Sequence, residues 1–90
     1  MKKLPDDVKP YKRTPLFNEL TLPQGLLKNH NTKSGVWGLL TVEKGEIEYV
    51  IADSKSNILS PQLSGVIEPE IKHHIKPLGE VLFFIEFYKK

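Results

Sequence analysis

Ninety residues without a cysteine, carrying 13 basic and 11 acidic side chains for a net charge of +2, bound the chain to one small domain with one modest core. That composition excludes a disulfide scaffold and a thiolate metal site, and the interspersed charges exclude the concentrated basic face of a nucleic-acid binder. No apolar run reaches membrane-spanning length and none follows Lys2-Lys3, so neither a spanning segment nor a secretory signal is expected, and the expected setting is the cytoplasm.

Residues 1–10 read as an extended arm, because Pro5 and Pro10 oppose regular structure. Tyr11 to Phe17 reads as a first strand at a sheet edge, since Pro15 cannot donate to a ladder. A turn at Thr21-Leu22-Pro23-Gln24-Gly25 leads to a short strand from Leu26 to Thr32, which Lys33-Ser34-Gly35 ends. Val36 to Val42 follows, then a tight turn at Glu43-Lys44-Gly45-Glu46 with glycine in the left-handed position. Glu46 to Ile51 alternates and sends Ile47, Tyr49 and Ile51 inward. Asp53 to Asn57 is expected as a loop, Ile58 to Ser60 as a short strand, and Pro61-Gln62 as a turn. Ser64 to Glu68 and His73 to Lys76 complete the set before the last strand.

That last strand, Val81 to Tyr88, is the most apolar stretch, with Val81, Phe83, Ile85 and Phe87 in one phase and Leu82, Phe84, Glu86 and Tyr88 in the other. Its composition predicts cover on both faces. No segment sustains a period of 3.6, and prolines and glycines punctuate short runs, so the fold class is all-β, a sandwich or small barrel.

Chemistry is sparse. Glu86, between Ile85 and Phe87, must either reach water or meet a partner, because an unpaired buried charge costs several kcal/mol or more. Adjacent strand residues face opposite ways, so one of His73 and His74 faces inward, and His74 is the expected one. His30 lies in the polar stretch Lys28–Lys33. A divalent metal (zinc, nickel, iron or manganese) held by His30, His74 and Glu86 is one reading of these residues. Were His73–Lys76 and Val81–Tyr88 a hairpin, His74 and Glu86 would stand about 13 Å apart, so the triad needs the two strands in different sheets. A rival reading pairs Glu86 with Arg13, the one arginine in the chain, whose fork suits a carboxylate or an oxyanion. Trp37 reads as core, interface or ligand wall. The serines lack a nucleophile setting, and no glycine-rich phosphate loop is present.

Read together, several stretches resemble the TehB/YeaR-like domain, a cupin-type jelly roll found alone or ahead of a methyltransferase in tellurite-resistance proteins. They are Tyr11 to Phe17, Leu22-Pro23-Gln24-Gly25-Leu26, His30 to Gly38, the turn at Gly45, Val66-Ile67-Glu68-Pro69, His73-His74 and Phe83 to Tyr88. They cover nearly the whole chain in order, so residues 1–90 are expected to be one such domain. The resemblance implies a small cupin-like jelly-roll sandwich or barrel. The second cupin motif matches Gly65 to His74, with His74 at a ligand position. In the first motif Gly38 takes the usual glutamate position, and Asn31 and Lys33 stand near the two histidine positions. Most of the usual metal set is therefore missing, leaving His74, His30 and an acid from elsewhere, for which Glu86 is the best candidate.

Three functions follow as expectations. One is a binding module whose pocket, lined by His30, His74, Glu86, Arg13, Lys33 and Trp37, holds a metal or a small anion and is tied by resemblance to tellurite or stress resistance. Another is a 2-His-1-carboxylate enzyme acting on a small molecule. The third is a structural module that pairs two copies through the second apolar face of Val81–Tyr88, and a homodimer is expected on that ground. Ninety residues do not accommodate a methyltransferase beside this domain, so methylation by the chain itself is not expected.

Overall fold

The computed structural model of the protein describes residues 1–28, 30–52 and 54–90. Among them the chain forms eight strands: β1 (Lys9–Arg13), β2 (Phe17–Asn18), β3 (Trp37–Lys44), β4 (Ile47–Ile51), β5 (Lys55–Leu59), β6 (Gly65–Ile67), β7 (His73–Pro77) and β8 (Leu82–Lys89). All pairings are antiparallel. One sheet runs β1-β8-β3-β6 with β2 also on β8, and a smaller one runs β5-β4-β7. The result is an all-β sandwich. β7 and β8, neighbours in sequence, lie in different sheets.

Alternation places the core. From the larger sheet, Leu40, Val42, Ile67, Phe83 and Ile85 point inward, and Ile47, Tyr49, Leu59 and Ile75 meet them from the smaller one. Burying such side chains stabilises by about 1.5–3 kcal/mol each. Tyr49 also ties the sheets together, since its hydroxyl donates to the Val66 carbonyl oxygen at 2.9 Å. Burial pushes that phenol well above the usual tyrosine range, and the nearby Glu68 carboxylate adds to the effect.

β1 and β2 form one edge strand that Pro15 interrupts, as the sequence implies. Thr14 bridges the gap: its N–H donates to the Ile85 carbonyl at 2.9 Å, and its hydroxyl accepts from the Ile85 N–H at 3.0 Å. The backbone groups of the central strand thus stay paired across the break.

Two expectations about local structure fail. Leu26 to Thr32 is not a strand; a 3-10 helix spans Gln24–Leu27, and beyond it His30 alone makes an isolated bridge. Proline at the helix entry and the close packing of Leu22 and Leu26 on the core favour the tighter turn. The loop expected over Asp53–Asn57 is largely β5, with Asp53 outside the described residues. β5 is an edge strand whose side chains are mostly exposed, so backbone pairing with β4 specifies it without apolar alternation. The outer phase of β8 is half-buried. Among the described residues no helix is long and apolar enough to cross a membrane.

Candidate functional site

A cleft of about 280 Å³ opens between the β1/β8 edge of the larger sheet and the segment around residues 30–36. Its wall includes Lys12, His30, Lys33 and Phe87, with Tyr11 and Thr32 beside them. Local register explains how Lys12 arrives there. Lys12 pairs with Phe87 and Arg13 with Glu86, so the first pair takes the inner phase and the second the outer. An irregularity between Pro10 and Lys12 lets Tyr11 reach the same cleft, where the Lys89 ammonium lies 4.4 Å from its ring centre.

The opposite wall is pinned by hydrogen bonds. His30 and His73 exchange backbone bonds, N–H to carbonyl, at 2.7 and 2.8 Å. The Thr32 hydroxyl donates to the Val36 carbonyl at 2.7 Å, the Thr32 carbonyl accepts from the Glu70 N–H at 3.1 Å, and the Val36 N–H closes a turn on Lys33. A polar segment with little apolar content is thereby held in place. Among the described residues lining the cleft none is acidic, and Lys12 and Lys33 bring positive charge to it.

Behind His30 lies His73, 2% exposed, with ring centres 5.6 Å apart in an edge-on arrangement. Tyr49 packs edge-on against its other side at 5.8 Å. His73 Nδ1 stands 3.1 Å from the Ile71 carbonyl oxygen. A carbonyl only accepts, so this bond calls for the proton on Nδ1. Burial holds the imidazole below the usual histidine range; the Ile71 carbonyl opposes that, and His30 and His74 reinforce it. The sign follows. Above about pH 6.5 this position is neutral in both folded and unfolded chains. Below it the unfolded chain takes up a proton that the folded chain resists, so stability falls with pH, by at most about 1.4 kcal/mol per pH unit for one proton. His73→Phe should flatten this part of the dependence: between pH 7.5 and 5.5 its melting temperature should fall less than that of the parent. Equal falls in the two proteins would refute it.

The residues expected to form a site divide among several places. His30 and Lys33 share the cleft. The inward histidine is His73, whereas His74 is half-buried in the outer phase of β7. Glu86 is in the outer phase of β8, on the other sheet, with its side chain 21% exposed. It accepts from Arg13 at 3.3 Å and from the Tyr88 hydroxyl at 3.0 Å. Tyr88 is held above the usual range, first by burial and then by this carboxylate. Arg13 also lies 4.4 Å over the Phe84 ring. With the guanidinium side chain 59% exposed, the ion pair contributes no more than about 1 kcal/mol, well short of the buried lock that the apolar neighbours of Glu86 suggest.

His74 and Glu86 therefore face away from each other on opposite sides of a sandwich, and the two sheets stand about 10 Å apart. Crossing between sheets was the condition for bringing them together, yet the outward phase of both separates them further. Among the described residues no three His, Cys, Asp or Glu side chains are grouped to hold a metal. Trp37 lines a different groove with Lys89, Lys90 and the arm residues Pro5, Asp7 and Val8. Sequence reasoning missed Lys12, Tyr11, Phe87 and His73. The pairing of a Lys-Arg step with a Glu-Phe step was the available signal, since the register that sets Arg13 on Glu86 commits Lys12 to the opposite face.

A sequence model of the TehB-like domain matches residues 12–85. Two curated relatives, each described as a probable S-adenosyl-L-methionine-dependent methyltransferase TehB, come from Haemophilus influenzae strains 10810 and KW20. They are 31% and 30% identical over 78 residues, covering 80% of this chain and 27% of the relative. The crystal structure of TehB from Haemophilus influenzae superposes with a TM-score of 0.87 at 29% identity, over 94% of this chain and 32% of that one. A protein from Escherichia coli K12 superposes with a TM-score of 0.89 at 24% identity, over 98% of this chain and 96% of its own, and shares the fold. The chain thus spans about a quarter of the length of the curated relatives it matches.

Proposed function

The chain belongs to the TehB-like domain family, and from that premise we propose that it is a small-anion-binding β module serving the resistance to tellurite with which the family is associated. The observation that carries the reading is the cleft, whose described lining includes Lys12, His30 and Lys33 and no acidic residue. Two ammonium groups supply charge, and the His30 ring and Asn31 amide supply directional donors for the oxygens of an anion. Lysine here acts as a point charge suited to small oxyanions of varied geometry, whereas the one arginine is engaged with Glu86. The methyltransferase activity in the relatives' names belongs to proteins of which this chain matches about a quarter. In this reading the module captures an anion, and any group transfer is carried out elsewhere.

Calorimetric titration at low salt with tellurite, and with phosphate as a second oxyanion, tests the proposal. Saturable binding that weakens as salt is added is expected. Lys12→Gln combined with Lys33→Gln should weaken it by about tenfold or more, the loss of one charge-assisted contact at about 1.5–3 kcal/mol being enough. No binding of either anion, or binding indifferent to both substitutions, overturns it.

A further inference from the structure

A second cavity, of about 200 Å³, adjoins the basic cleft, and His30 and Phe87 belong to the walls of both. Its character is opposite. Phe17, Leu26, Ile85, Phe87 and Pro23 line it, and no acidic or basic group other than His30 is among its described lining residues. Phe17, Leu26 and Phe87 pack against the core yet keep part of their surface open, unlike the ten residues buried within it. Leu26, on the 3-10 helix Gln24–Leu27, packs against the core, and Pro23 and Gly25 beside it also line the space. Apolar surface held at the rim of a charged cleft is unfavourable in water and becomes favourable when a ligand covers it.

We infer that the cleft takes an organic anion bearing a compact apolar group, its carboxylate among Lys12, His30 and Lys33 and its ring or branched alkyl part against Leu26, Phe17 and Phe87. This rests on the anion-binding reading above and narrows it. The sizes agree, since an apolar cavity of about 150 Å³ accommodates a benzene ring. A bare inorganic oxyanion would use the basic part alone and leave the apolar walls wet. Each methylene transferred from water onto such walls is worth roughly fourfold in affinity, so a phenyl group should contribute roughly thirtyfold or more.

The probes are acetate, phenylacetate, benzyl alcohol and phosphate, titrated into the full chain. Phenylacetate should bind at least about tenfold more tightly than acetate and than benzyl alcohol, because it alone engages both parts. Leu26→Ser should lower the ratio of phenylacetate to acetate affinity. Should that variant fail to fold, the methyl resonances of Leu26 in the parent protein serve instead, and they should move with phenylacetate and stay put with acetate. If phosphate and acetate bind but phenylacetate is no tighter than acetate, this inference falls and the anion module stands. If benzyl alcohol matches phenylacetate, the carboxylate has no place in the cleft and the inference falls as well. If no anion binds, both readings fall.

Discussion

Phe83→Ala is expected to remove about 3–5 kcal/mol of stability, the range for a fully buried aromatic ring cut back to a methyl group. Phe83 is 0% exposed and is the second residue of β8, between Val42 of β3 and Phe17 of β2 in register. Its ring lies 5.7 Å from that of Phe17 at a tilt of 56°, a packing that contributes beyond area alone. Domains of this size have about 5–15 kcal/mol in total, so the variant loses a large fraction and its melting temperature should drop by roughly 12–40 °C. Thermal melting followed by far-ultraviolet circular dichroism reads this directly. If Phe83→Ala expresses only as unfolded chain, Phe83→Leu should show a smaller loss of the same sign. A change under about 1 kcal/mol would mean that the inner face of β8 is not where the core lies. Phe83 is also next to the apolar cavity through Phe17, so anion affinity should be measured only where the variant is folded.

Gly45→Ala should cost about 2–5 kcal/mol, for two separable reasons. Gly45 turns the chain from β3 in one sheet to β4 in the other, with φ at +84°. Any residue with a Cβ is strained there by about 1–2 kcal/mol. In addition, a Cβ at this position would overlap the Glu80 carbonyl oxygen and press on Val81. That backbone has little freedom to yield, because the Val81 N–H is held by the Glu19 carboxylate at 3.1 Å and the Val81 side chain is 2% exposed. Overpacking of this kind adds about 1–3 kcal/mol. Gly79 provides the control. Its φ is +107°, but a Cβ there would meet nothing within 4 Å, so Gly79→Ala should carry the conformational cost alone. Denaturant unfolding of the two variants should separate them by at least about 1 kcal/mol. Equal losses would remove the steric part of the argument.

The site was less legible than the fold, and particular residues say why. His30 and Lys33 are candidates from the sequence for a metal or small-anion pocket, and both line the cleft. Lys12 escaped notice because it is one of twelve lysines and nothing local distinguishes it. Only the pairing of β1 with β8, across more than seventy residues of chain, sets it beside Phe87 and His30. Glu86 drew attention for its apolar neighbours, yet it belongs to the outer phase, where a half-exposed ion pair satisfies it. Gly25 and Leu26 offered no warning of the 3-10 turn beside the apolar cavity, since turn and short strand share the same few residue types.

Period-two patterning is a local property, and it was enough to specify an all-β chain, the inward face of β4, the two phases of β8, and the edge character of the strand that Pro15 breaks. Which of two adjacent histidines is buried, which of two adjacent cations enters the cleft, and which sheet each strand joins are not local properties. They depend on cross-strand register, and a shift of one residue exchanges every inward side chain for its outward neighbour. Long-range packing settled them, placing His73 inside and His74 outside, and Lys12 in the cleft with Arg13 on Glu86.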